Sequence, residues 1–95
     1  MKENKSIKIS ALGSYLPETI VTNDQLSKTV DTSDEWIVSH TGIEERRYAS
    51  ENENASDLAI KAIKNMNKDI SDVDAIIVAT ATPDFRGFPS TACII

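Results

Sequence analysis

The run Ala75-Ile-Ile-Val-Ala79, set within Val73 to Ala81, constrains this chain more than any other stretch. It is continuously apolar and β-branched, with no polar alternation. That pattern predicts a strand buried on both faces, which requires parallel neighbours and covering helices. Upstream, Leu58, Ala59, Ala62, Ile63 and Met66 fall on one face of a helical period, with Lys61, Lys64 and Asn65 elsewhere. Earlier still, Ile7, Ile9 and Ala11 alternate with Lys8 and Ser10, predicting a strand that ends near Gly13. Strand, amphipathic helix and buried strand together predict a βαβ-type unit and an α/β fold class.

Local signals divide the rest. Pro17 interrupts whatever precedes it. Thr22 to Gln25 has the form of a capping box, opening a short helix to about Val30. Thr32 to Glu35 is a second such box, leading into Trp36 and Ile37. Asp34 and Glu35 then occupy a first turn, where the helix dipole favours negative charge. Gly42 is the expected left-handed stop. Asn54 or Ser56 is suited to cap the longer helix. Pro83, Gly87 and Pro89 predict a loop over 82–89, and Ser90 a cap for a helix starting at Thr91.

At 95 residues the chain is one domain at most, and the apolar run that ends at Ile95 predicts an incomplete piece of a larger one. A net charge of −5 gives no reason to expect nucleic acid. No apolar window is long enough for a bilayer span. The polar start, M-K-E-N-K-S-I-K-I-S, lacks the apolar core of a secretory signal, and a cytoplasmic setting is expected. A single cysteine, Cys93, fits a reducing compartment.

Few residues carry chemistry on their own account. His40 is the only histidine and has no metal-ligand partner at a useful spacing; by itself it reads as an exposed or packed side chain rather than a base. Cys93 lies among apolar neighbours and reads as a buried, inert thiol. Two of the carboxylates Asp31, Asp34, Glu35, Glu44 and Glu45 answer to the helix dipole, and the others read as solvated. Arg46 and Arg47 suit a phosphate site, with a surface pair as the default. Trp36, alone on a half-polar helix, reads by default as core.

Five blocks in order, "GSYLPE", "TNDQL", "VDTSDEWIVSHTGIEERR", "IIVATATPD" and "FPSTAC", resemble the N-terminal part of β-ketoacyl-acyl-carrier-protein synthase III, over nearly the whole chain from Ile7 to Ile95. The resemblance implies part of the N-terminal half of a thiolase-like fold, five-layered αβαβα when complete, in a homodimer. It implies an acyltransferase that starts type II fatty-acid synthesis by decarboxylating condensation of a short acyl-coenzyme A with malonyl-acyl-carrier protein. An acyl-cysteine thioester splits the reaction into two easier steps. Histidine and asparagine stabilise charge during decarboxylation, and backbone amides hold the thioester oxygen.

Carried over residue by residue, the resemblance puts Trp36 at the mouth of the active-site tunnel, stacked on the adenine of coenzyme A. Thr32 would hold that adenine by a hydrogen bond. Where the family commonly has an arginine binding or stacking on the nucleotide, this chain has His40. Neutral imidazole lacks a fixed charge and a fork of donors, which implies looser binding or compensation elsewhere. Phe88 matches a residue that crosses the dimer interface to border the partner's acyl pocket. The loop Ala81 to Gly87 is a residue longer than in common members. Cys93 is not the nucleophile. The catalytic cysteine, histidine and asparagine lie beyond the matched region, so this chain carries no catalytic residue, no metal and no cofactor apart from the coenzyme A thioester as substrate.

Residues 1–95 are therefore expected to be the N-terminal part of a ketoacyl synthase domain, inactive alone. Two alternatives remain: a thiolase-fold acyltransferase of secondary metabolism, and a non-catalytic dimerisation or binding module.

Overall fold

The computed structural model describes residues 5–95. Its elements are β1 (Thr19–Thr22), α1 (Asn23–Ser27), α2 (Asp34–Thr41), β2 (Glu45–Tyr48), α3 (Ala55–Asn65) and α4 (Thr91–Ile94). The described residues divide into two compact units, one of residues 16–54 and one of 5–15 with 55–95.

In the first unit, β1 and β2 form an antiparallel pair, with Thr19 opposite Tyr48 and Thr22 opposite Glu45. The predicted capping box at Thr22 is present in full. The Gln25 amide donates to Thr22 Oγ1 at 3.2 Å, and the Thr22 amide donates to Gln25 Oε1 at 2.9 Å. Helix α1 ends at Ser27, short of Val30, though the amides of Thr29 and Val30 still bond the Leu26 carbonyl. The cap of α2 falls at Ser33, one residue past the predicted Thr32; Ser33 Oγ accepts from the Trp36 amide at 3.2 Å. With Ser33 as cap, the reciprocal position is Trp36, which has no carboxylate to reach back, so the T-S-D-E box does not close. Gly42 ends α2 with φ 71°, as expected of a left-handed stop.

Asn23, 1% exposed, ties this unit together. Its Nδ2 donates to Asp34 Oδ1 at 2.9 Å and to the Ile43 carbonyl at 2.7 Å. Its Oδ1 accepts from Arg46 at 2.6 Å, and its own amide donates to the Glu44 carbonyl at 3.1 Å. The side-chain amide thus uses both its donor and its acceptor ends inside the unit, which satisfies a buried polar group. Arg46 also donates to the Val21 carbonyl, and Arg47 to the Pro17 carbonyl. These two arginines clamp β1 and its approach and are not a loose surface pair.

In the second unit, α3 is the predicted amphipathic helix, closed by Asn67 in the left-handed region at φ 51°. Residues near Gly13 lie against it, and Asn65 Nδ2 donates to the Ser14 carbonyl at 2.9 Å. Tyr15 carries the Lys61 ammonium 4.8 Å above its ring. Helix α4 starts at Thr91 as predicted, but Ser90 makes no side-chain cap; its hydroxyl donates to Cys93 Sγ at 3.2 Å. Cys93 is free and exposed, correcting the expectation of a buried thiol.

The two predicted strands, Ile7 to Ala11 and Val73 to Ala81, are irregular. Ile77 is 95% exposed. Among the described residues the sheet contains β1 and β2 alone. A buried strand needs hydrogen-bonded neighbours for its amides and carbonyls, and neither run pairs with another segment here. An apolar hollow of ≈ 340 Å³ lies instead between α3 and this run, lined by Ile63, Met66, Ile70, Val73, Ile76 and Ile95. No helix among the described residues is long and apolar enough to cross a membrane.

Candidate functional site

Trp36 sits in the first turn of α2, held there by the Ser33 cap on its amide. Trp36 is 56% exposed, so the default reading of a core tryptophan does not hold. The reason is local. Helix α2 buries one residue, Ile37, and Trp36 lies a hundred degrees around the helix from it. Beside the indole is an open pocket of ≈ 370 Å³ lined by Asp31, Thr32, Ser33 and Trp36. The shift of the cap from Thr32 to Ser33 matters here. Thr32 stays outside the helix, half-buried, and its side chain belongs to the pocket wall rather than to a capping bond.

His40 follows Trp36 by one helical turn, the spacing at which helix side chains meet. The two rings stack with centroids 4.2 Å apart and planes 17° from parallel. His40 Nδ1 lies 2.8 Å from the Trp36 carbonyl and 3.1 Å from Ser39 Oγ. A carbonyl only accepts, so Nδ1 carries the proton in this arrangement. Ser39 Oγ in turn donates to the same carbonyl at 3.0 Å. The structure thus brings Thr32 and Trp36 to one pocket and sets His40 against the indole, outside the pocket wall.

Phe88 belongs to the other unit and is 98% exposed. It follows the loop of Pro83 to Gly87 and forms a cis bond to Pro89. A second open pocket, of ≈ 390 Å³, is lined from Val78 to Ala92 by residues that include Phe85, Arg86 and Thr91 but not Phe88. Sequence reasoning missed Asp31 as a wall of the tryptophan pocket; its position next to Thr32 and its lack of a capping role were the available signals. It also missed Asp84, whose carboxylate fixes the start of α3 through Ser56. Among the described residues no group of three or more His, Cys, Asp or Glu side chains is placed to hold a metal ion.

No family model matches the chain. Individual proteins do. The chain is 56% identical over 91 residues to a β-ketoacyl-[acyl-carrier-protein] synthase III of Campylobacter jejuni, a match covering 92% of this chain and 28% of that protein. It is 56% identical over 92 residues to the synthase III of Neisseria gonorrhoeae, covering 93% and 28%. A synthase III 2 of Bacillus anthracis matches at 51% over 96 residues, covering 97% and 29%. Among solved structures, the synthase III of Thermus thermophilus superposes with a TM-score of 0.78 at 51% identity, covering 90% of this chain and 28% of that one. The 3-oxoacyl-[acyl-carrier-protein] synthase III of Aquifex aeolicus gives 0.70 at 48%, covering 88% and 28%. The chain therefore spans somewhat over a quarter of the length of the relatives it matches. With these structures it shares the α/β fold class that the apolar run and the amphipathic helix predict.

Proposed function

We propose, for a chain that belongs to the β-ketoacyl-[acyl-carrier-protein] synthase III family, that it forms the nucleotide-receiving entrance of such a synthase. The parent enzyme would be an acyltransferase that condenses a short acyl-coenzyme A with malonyl-acyl-carrier protein, releasing carbon dioxide, as a cytoplasmic homodimer. The chain supplies part of the binding machinery and none of the reacting groups, and it needs no cofactor beyond the coenzyme A thioester.

One observation carries this reading: a half-exposed indole beside an open pocket, in the segment that resembles the family's coenzyme A platform. An aromatic face that is apolar yet partly wet suits a purine, which stacks over it without losing all contact with water. Thr32, not engaged as a helix cap, presents a hydroxyl that both donates and accepts toward the base edge. Asp31 gives the wall a negative charge. That charge favours the amino edge of adenine and repels phosphate, so the base enters this pocket and the pyrophosphate stays outside it. His40 stands outside the pocket wall and acts on the nucleotide through the ring it covers. The exposed Phe88 ring suits a side chain completed by a second subunit, where aromatic residues are enriched.

The test is a titration of the full natural chain with coenzyme A. Trp36→Ala is expected to weaken binding and Thr32→Val to weaken it less. Unchanged affinity in Trp36→Ala would remove the indole from the site.

A further inference from the structure

We propose that His40 is a positioning residue for the Trp36 platform: it holds the indole from one face, so that the opposite face is presented to the nucleotide. This rests on the platform reading above and adds to it the device that aims the ring. Three observations converge. The imidazole covers one face of the indole, at 4.2 Å and 17°. It is itself fixed, because Nδ1 donates to the Trp36 carbonyl at 2.8 Å with Ser39 Oγ at 3.1 Å. And the pocket beside the indole is walled by Asp31, Thr32, Ser33 and Trp36 without His40, so the imidazole holds the ring without occupying the pocket.

Trp36 is 56% exposed, so its indole has little packing to hold it. Left alone it would sample several rotamers, and a ligand would have to select one on binding. The imidazole removes that freedom in advance. A flat ring anchored to the backbone one turn away, to the same residue whose side chain it covers, restricts the indole to the parallel orientation. An arginine at this position would reach past the ring to the nucleotide. The shorter imidazole stays bonded to the helix backbone and serves the ring instead.

Two readouts on the full natural chain decide this, with Trp36→Phe as the optical blank. Time-resolved anisotropy of Trp36 reports the ring's mobility, and titration with coenzyme A reports affinity. His40→Ala is expected to add fast local depolarisation of Trp36 and to weaken coenzyme A binding about 3- to 10-fold. His40→Phe, which keeps a flat ring at the same spacing but loses the bond to the Trp36 carbonyl, is expected to recover part of both. Unchanged anisotropy in His40→Ala overturns the proposal. So does equal loss of affinity in His40→Ala and His40→Phe when His40→Phe keeps the indole as immobile as in the natural chain, which would mean that the imidazole nitrogens meet the ligand directly. A Trp36→Ala chain that binds coenzyme A normally fails the platform reading itself and the ligand half of this proposal, while the anisotropy of His40→Ala still reports separately whether the imidazole holds the ring.

Discussion

Asp84 caps helix α3 from 28 residues away, its Oδ1 accepting from the Ser56 amide at 2.9 Å and its Oδ2 from the Ser56 hydroxyl at 2.6 Å. A carboxylate at a helix N-terminus satisfies an orphan donor and meets the positive end of the dipole. Ser56 is buried, so water does not replace the bonds readily. Asp84→Ala is expected to cost ~1–3 kcal/mol of stability and to speed hydrogen exchange of the Ser56 amide. Protection that survives the substitution would show α3 to be capped by its own sequence.

Asn23 makes a sharper prediction. Asn23→Asp keeps the size and adds a favourable charge facing Arg46. It also turns both Nδ2 donor contacts, to Asp34 Oδ1 and the Ile43 carbonyl, into contacts between acceptors. A gained ion pair does not offset two reversed buried bonds beside a carboxylate, and a loss of ~2–4 kcal/mol in denaturant unfolding is expected. An aspartate variant as stable as the natural chain would mean that Arg46 alone holds the hub.

Two glycines are expected to respond to alanine for different reasons. A Cβ on Gly13 would stand 2.3 Å from the Ala62 carbonyl oxygen and 2.8 Å from Met66 Cβ, against backbone that cannot swing aside. Gly13→Ala therefore separates this segment from α3, at ~1–3 kcal/mol for overpacking. At Gly42 nothing lies within 4 Å of the added carbon, and the cost is the left-handed conformation alone, about 1 kcal/mol. Thermal unfolding of the two variants side by side checks the order.

What the sequence made legible was local. The box at Thr22 and Gln25, the stop at Gly42 and the helix start after Ser90 all depend on residues within one turn of each other. Thr32 and Ser33 both suit a cap, and which one serves depends on how α2 is anchored. Asp34 is tied to Asn23 eleven residues earlier, a link that no pattern displays. Strands fared worse because a ladder needs a partner. Thr19–Thr22 and Glu45–Tyr48 pair across two intervening helices, and the charged E-R-R-Y segment shows no alternation to mark it. The apolar runs at 7–11 and 75–79 have the composition of strands and no hydrogen-bonded neighbour among the described residues. Of the residues lining the Trp36 pocket, the resemblance singled out Thr32 and Trp36 and left out Ser33. The stacking of His40 on the indole was implicit in the four-residue spacing but needed the rotamers to be seen.

Asp69 provides a pH-dependent check on a turn. The Ser71 amide, first, and the Ser71 hydroxyl hold its carboxyl below the usual aspartate value. A group whose folded value is depressed contributes stability above its unfolded value and loses that contribution as pH falls through the folded one. The carboxyl is fully exposed, so the effect belongs to the turn rather than to global stability. Carbon-detected NMR titration is expected to find a midpoint below 3.8, and Ser71→Ala, which keeps the amide, to raise it only part of the way. Full return to the ordinary value would assign the effect to the hydroxyl.

Trp36 contributes little to a core, since it is half-exposed and its helix is anchored by Ile37 and Asn23 instead. Trp36→Ala should therefore leave the unfolding midpoint nearly unchanged, while removing a stacking surface worth ~1–3 kcal/mol for a nucleobase. In the synthase proposed above as the parent, that difference is expected to appear as a raised KM for acyl-coenzyme A with kcat nearly constant, because a platform remote from the chemistry would bind substrate and transition state alike. The acyl-pantetheine analogue, which lacks the nucleotide, supplies the control: natural and Trp36→Ala enzymes should use it equally well. A variant that loses activity toward both substrates in proportion, or that unfolds early, would place the indole's contribution in the fold and not in the entrance.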